Sequence, residues 1–241
     1  MNHFCYRDSE LYAEDVALSR IAETVGTPVF VYSAAAFKDG LSSFAKAFAP
    51  VPHQICYSVK VASNLALLAM AAKQGLGADI VSGGELFRAT RAGIPASKIV
   101  YSGVGKTAHE IVQALEAGIM MFNVESEPEL SLISKIAGER RLVAPVALRV
   151  NPDVDPGTHP YIATGLKESK FGVPMEEALA LYVRAAADPA LEVVGLDCHI
   201  GSQLTSAAPF AAAIERLKVL VGQLKERGIK IKYLDLGGGL G

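Results

Sequence analysis

Seven short apolar runs recur along the chain with helical stretches between them. They are "HQICYSV" at 53 to 59, "GADIV" at 77 to 81, "KIVYS" at 98 to 102, "GIMMFNV" at 118 to 124, "PVALRV" at 145 to 150, "LEVVGLDCHI" at 191 to 200 and "IKIKYLDL" at 229 to 236. Several are apolar without alternation, the pattern of parallel strands buried on both faces. The stretches between them carry helix punctuation. Ser82-x-x-Glu85, Thr107-x-x-Glu110 and Ser126-x-x-Glu129 read as capping boxes, and Gly93, Gly118, Gly138 and Gly228 fall where helix-ending glycines belong. An earlier helix over 34 to 48 spaces Phe37, Leu41, Phe44 and Phe48 along one face.

A strand and helix repeating every 20 to 26 residues or so predict an α/β fold, either a doubly wound sheet or a (β/α)8 barrel. With 241 residues, 51% of them apolar, the chain can bury a core of barrel size. In a barrel the strand ends converge on one face, which would gather Lys60, Asp79, Ser102, Glu125, Arg149, His199 and the glycines from Gly237. The gap between the fifth and sixth runs is nearly twice the others and holds the polar loop "NPDVDPGTHPYIATGLKESKFG". Loops of that length are functional or disordered.

Composition removes several function classes. A net charge of -2 with both signs interspersed leaves no basic stripe for nucleic acid. No apolar run reaches about 18 residues, and the start "MNHFCYRDSELYAEDV" has acids where a signal peptide needs a basic end, so a soluble, cytoplasmic chain with no membrane partner is expected. Cys5, Cys56 and Cys198 are odd in number and far apart, which suggests neither a disulfide framework nor a zinc site, and no metal is expected. "GVGKT" at 103 to 107 fails as a P-loop because Val100 stands where that motif needs glycine. "DVDPG" from Asp153 fails as a calcium loop because its twelfth position is Thr164 rather than glutamate.

The remaining motifs belong together chemically. Lys60 ends the first run as an amine partly desolvated by the apolar residues before it, which would favour its neutral, nucleophilic form. "LDLGGGLG" at 234 to 241 offers backbone N–H groups to a phosphate without side-chain obstruction, and "CHIGSQ" places His199 and Ser202 at another strand end. An amine, a flat partner and a phosphate cradle together point to pyridoxal phosphate, for which a Schiff-base lysine is the protein's contribution. Cys198 alternates with His199 and so points to the opposite face.

"YSVK", "ADIVSGGEL", "YSGVGKT", "NVES", "LRVNPDVDPGTHPYIATG", "SKFG", "HIGSQ" and "DLGGGLG", in this order, resemble the diaminopimelate decarboxylase family of fold-type III pyridoxal-phosphate enzymes. The resemblance implies a (β/α)8 barrel of the alanine racemase and decarboxylase type over 34 to 241, truncated after its seventh strand. It implies that the segment 1 to 33 packs with a C-terminal β domain not present in this sequence. Pyridoxal 5'-phosphate would be held by Lys60 as Schiff base, His199 stacked on the ring, Ser202, Gly237, Gly238 and Gly239 on the phosphate, and Asp79 and Arg149 as polar support. Glu125 and Lys170 match family motifs with structural or dimer-interface roles. The implied reaction is decarboxylation of meso-diaminopimelate to L-lysine and carbon dioxide in a homodimer. The family's further motifs, a Glu-Pro-Gly-Arg run and a reprotonating cysteine, lie beyond Gly241, so this chain alone is expected to be inactive. Another basic amino-acid decarboxylase of the same fold, or a non-catalytic pyridoxal-phosphate-binding barrel, are the competing readings.

Overall fold

A computed structural model describes residues 3–154 and 171–241; Thr164 and Lys170 lie outside them. The chain divides into two compact units, residues 1–55 and 56–241.

In the first unit, β1 (Phe4–Arg7), β2 (Glu10–Ala13) and β3 (Val16–Ala17) form an antiparallel meander that precedes α1 (Leu18–Val25) and α2 (Ala34–Phe48). Asp8 and Ser9, with φ of 49° and 66°, make the two-residue turn between β1 and β2, a conformation matched to the strands' twist. Ser33 caps α2 by accepting from Ala36 N–H at 2.9 Å, and Glu14 Oε1 accepts from Ser33 Oγ and Ala35 N–H. Phe37, Leu41 and Phe48 are half-buried along α2 as its spacing predicts, while Phe44 is exposed, its ring centroid 5.0 Å from that of Phe48 at a tilt of 35°.

All seven predicted strands of the second unit are present. They are β4 (Cys56–Ser58), β5 (Gly77–Ile80), β6 (Ile99–Tyr101), β7 (Met121–Val124), β8 (Ala144–Asn151), β10 (Leu191–Asp197) and β11 (Tyr233–Asp235). Each pairs in parallel with the next, and the two-residue β9 (Val173–Pro174) adds to the end of β8. The helices between them are α3 (Leu65–Lys73), α4 (Gly83–Arg91), α5 (Ala108–Ala117), α6 (Glu127–Arg140), α7 (Met175–Ala187) and α8 (Ala208–Glu226). No helix among the described residues is long and apolar enough to cross a membrane.

The sheet curls into a partial barrel. β7 and β11 stand three strand intervals apart, about 14 Å in a flat sheet. Yet Asn123 on β7 and Asp235 on β11 are hydrogen-bonded at 3.0 Å. Only a strongly curved sheet brings them together. The convex face buries Tyr101, Phe122, Leu148 and Leu196 against helical Leu68, Ile111, Ile133, Tyr182 and Leu217, while Cys56, Val100, Met121, Ala147 and Tyr233 pack on the concave side.

Local chemistry sets the helix ends, with two departures from expectation. Thr107 and Glu110 form the reciprocal box. Ser82 and Ser126 cap as predicted, but Glu85 and Glu129 reach one residue further back, accepting from Val81 N–H at 2.8 Å and Glu125 N–H at 3.0 Å. Gly138 does not end a helix. It lies inside α6, and Arg141 takes the left-handed position instead, with φ of 56°.

A bulge decides what faces the barrel interior. Val193 pairs with Val146 and Gly195 with Ala147, so Val194 is an extra residue. Without it, the period-two alternation from Leu191 would turn Asp197 and His199 toward the helices. With it, Leu196 and Cys198 enter the outer core, and Asp197 and His199 face inward. The Tyr182 hydroxyl secures the irregularity, donating to Gly195 O at 2.9 Å and accepting from Leu148 N–H at 3.2 Å.

Candidate cofactor-binding site

Each of the seven parallel strands carries an inward polar residue at or near its C-terminal end. Ser58 pairs in register with Asp79, and Arg149 with Asp197, which pairs in turn with Asp235. Asn123 joins the layer by donating to Ser102 Oγ at 3.2 Å and Asp235 Oδ2 at 3.0 Å. Ser58, Asp79, Ser102, Asn123, Arg149, Asp197 and Asp235 thus form a polar layer above the apolar concave core.

Lys60 lies one step above this layer. β4 stops at Ser58, and Lys60 sits on the following 3-10 turn, Val59–Val61, exposed to solvent while Val59 is fully buried. The partial desolvation expected of the amine is therefore not found, because the strand ends before reaching it. Its positive charge still acts on the site: it lowers the Asp79 carboxyl and the His199 imidazole.

The charges of the layer compete for a small, dry volume. Burial pushes Asp79 upward, against hydrogen bonds from Ser102 and Ser58 and the charge of Lys60. Burial likewise pushes Asp197 well above the usual carboxylate range, with Asp235 adding to it and Arg149 opposing. Both shifts favour the neutral acid. Burial, Arg149 and Lys60 bring His199 down to about 4, so its imidazole is neutral near pH 7. Arg149 is held on Glu125, Nη1 to Oε1 at 3.0 Å, with its guanidinium 5.1 Å from the Phe171 ring. Asp79 Oδ1 and Arg149 Nε are buried polar atoms without a hydrogen-bond partner.

The glycine loop is moulded against the end of β10. Asp235 Oδ1 accepts from Gly237 N–H at 2.9 Å, holding the turn in which Gly237 has φ of 66°. A Cβ there would stand 2.7 Å from His199 Nδ1 and 2.8 Å from Cys198 O; one on Gly239 would overlap Gly201 O. No other residue fits at these two positions. Leu204 N–H donates to Gly239 O at 2.8 Å and Gly241 N–H to Leu204 O at 2.9 Å, so the segment that follows the Gly201–Ser202 turn runs parallel to Gly239 to Gly241. Ser202, Gly237 and Gly238 are exposed there.

Sequence reading located Lys60, Asp79, Ser102, Arg149 and His199 on this rim but passed over Ser58, Asn123, Asp197 and Asp235. The signal was present for Asp197. It stands two residues before His199 inside an apolar run, the spacing of side chains that share a strand face.

An exposed amine, an imidazole kept neutral, buried polar atoms awaiting partners and a side-chain-free glycine loop form a donor set that fits an aldehyde-bearing ring phosphate. The chain belongs to the pyridoxal-dependent decarboxylases: residues 34–241 match that family's pyridoxal-binding domain. Over its full length it is 56% identical to diaminopimelate decarboxylase of Pseudomonas aeruginosa and 54% identical to that of Haemophilus influenzae. It spans 58% of each of those proteins. The crystal structure of diaminopimelate decarboxylase from Helicobacter pylori complexed with L-lysine superposes with a TM-score of 0.90 at 42% identity, covering 93% of this chain and 57% of that one.

Proposed function

We infer that this chain is the cofactor-binding part of a carboxy-lyase that converts meso-diaminopimelate to L-lysine and carbon dioxide. The observation that carries the reading is the rim on which Lys60, His199 and the blocked glycines Gly237 and Gly239 meet the half-buried Asp79 and the buried Arg149. The full-length identity to enzymes of that name supports the substrate.

Pyridoxal phosphate, when bound, supplies the electron sink that decarboxylation of an amino acid requires. The chain's residues do the rest of the binding work. Lys60 is exposed and free to reach an aldehyde, and its amine is the covalent attachment point. The N–H groups of Gly238 and Gly239 and the Ser202 hydroxyl would be donors for phosphate oxygens, on a turn that the Gly237 N–H bond to Asp235 holds in shape. His199, neutral and packed against Gly237, offers a ring face for stacking without adding positive charge. Arg149, fixed on Glu125, would supply a cation for the ring's polar substituents, and Asp79 a carboxyl within electrostatic reach of Lys60.

The test is substrate discrimination. Protein completed by the part of its relatives' length that this chain does not span is given pyridoxal phosphate and offered meso-diaminopimelate, L-ornithine and L-arginine in parallel, with carbon dioxide and L-lysine as readouts. Carbon dioxide and L-lysine from diaminopimelate alone support the reading. Preferred turnover of another basic amino acid overturns the substrate assignment, and cofactor binding without turnover of any of them favours the non-catalytic barrel.

A further inference from the structure

Lys106 belongs to "GVGKT", the motif that fails as a P-loop, and no step above uses it. Its side chain is wholly excluded from solvent. The ammonium donates to Gly103 O at 2.7 Å, Asn123 O at 2.8 Å and Glu129 Oε1 at 2.7 Å, which occupies all three of its protons. The Tyr101 ring centroid lies 5.5 Å away. A buried ammonium is tolerated only when satisfied in this way.

Glu129 carries the connection onward. Its second oxygen accepts from Glu125 N–H at 3.0 Å, and Glu125 Oε1 accepts from both Gly103 N–H and Arg149 Nη1, each at 3.0 Å. Lys106, Glu129, Glu125 and Gly103 therefore close a ring of hydrogen bonds between the loop after β6 and the turn after β7. Arg149 is tethered to that ring through Glu125. Apolar residues of similar volume would stabilise the fold as well as a buried ion pair does, so stability alone does not account for the pair.

We propose that Glu129, the anionic half of the buried pair with Lys106, is a positioning residue: its second oxygen, accepting from Glu125 N–H, fixes Glu125, and through Glu125 it aims the Arg149 guanidinium into the cofactor site. The proposal deepens the function inferred above, and one of its readouts needs no cofactor.

Two double variants test it, Lys106→Met with Glu129→Gln and Lys106→Met with Glu129→Leu. Each removes both buried charges, so neither leaves an unpaired ion. Glutamine keeps an acceptor for Glu125 N–H, and leucine does not. The ligand-free readout is the Arg149 guanidinium cross-peak in a nitrogen–proton NMR spectrum, assigned by its loss in Arg149→Ala. The glutamine variant should keep that peak and the parent's affinity for pyridoxal phosphate. The leucine variant should lose the peak and bind as weakly as Arg149→Ala, roughly tenfold below the parent. Adding Arg149→Ala to it should weaken binding no further, because both changes remove one interaction. A leucine variant with the parent's peak, or losses that add to those of Arg149→Ala, would overturn the proposal. Loss of the melting transition in both double variants would overturn it too, since the pair would then be a folding strut. If the parent itself does not bind pyridoxal phosphate, the cofactor reading fails while the cross-peak still decides on Glu129.

Discussion

Asn123 Nδ2 donates to Asp235 Oδ2 at 3.0 Å across the barrel interior, linking two strands that are three intervals apart in the sheet. The same Asp235 accepts from Gly237 N–H through its other oxygen. One carboxylate thus ties the curvature of the barrel to the conformation of the glycine loop. Fold and candidate phosphate site share a single hinge point.

Replacing Asn123 should show that dependence. Asn123→Ala removes a donor buried to 1% exposure and should cost about 1 to 3 kcal/mol, read from the urea midpoint at constant slope. Asn123→Asp should cost more near neutral pH, because two carboxylates would then face each other, and should recover on acidification. An aspartate variant no less stable than the alanine variant at pH 7 would show that the contact carries no weight.

Lys60, and not Lys106, should be the lysine trapped by borohydride after pyridoxal phosphate is added. Lys60 is exposed at the rim, whereas every ammonium proton of Lys106 is already committed to a buried acceptor. Peptide mass spectrometry decides. An adduct on Lys106 or Lys73 would sink the assignment.

The seven strands were legible because parallel strands buried on both faces leave unbroken apolar runs, and "GIMMFNV" and "PVALRV" fall on β7 and β8. The rim residues were legible because a barrel's topology sends every strand end to one side. What was not legible is what depends on a third dimension. The bulge at Val194 turns Asp197 and His199 inward, and its one cue in "EVVGLD" is the isolated Gly195, which marks a break in the strand without saying which residue is the extra one. Asp235 draws no notice inside "LDLGGGLG", because its partner Asn123 lies more than a hundred residues away. Gly138 looked like a helix stop because glycine usually is one. Inside α6 its absent side chain instead faces Ala190, where an added Cβ would lie 3.9 Å from that methyl.

His199 should make stability depend on pH in a definite direction. Its imidazole falls to about 4 in the folded chain from an ordinary 6.5, so between those values the unfolded chain binds the extra proton. Its contribution is complete above 6.5 and is lost as pH falls through about 4, by at most about 1.4 kcal/mol per pH unit. Asp79, Asp197 and Glu129 are shifted upward and act in the opposite sense, so the comparison must be parent against His199→Phe. The stability difference between the two should grow as pH rises from 4 to 6.5. Phenylalanine should also retain more pyridoxal phosphate than alanine, since stacking adds about 0.5 to 1.5 kcal/mol beyond burial. Equal cofactor loss in both would reduce His199 to a structural role.

Asp197→Asn should stabilise the ligand-free protein, and only above the ordinary carboxylate range. Asp197 is raised by burial first, then by Asp235, with Asp79 and Glu125 adding and Arg149 alone opposing. Below the ordinary value of 3.8 the acid is protonated in both folded and unfolded chains, and asparagine, its near isostere, changes nothing. As pH rises past that value the unfolded chain ionises first, and the folded chain loses about 1.4 kcal/mol relative to it for each unit until Asp197 itself ionises. Asparagine escapes that loss. The gain of the variant over the parent should therefore climb with pH and then level off where the buried acid gives up its proton. Urea unfolding of both proteins between pH 3 and 9 measures this directly. A gain that is the same at every pH would mean that Asp197 is not a displaced acid, and a net loss near neutral pH would mean that its charge is needed to hold Arg149, its register partner on β8.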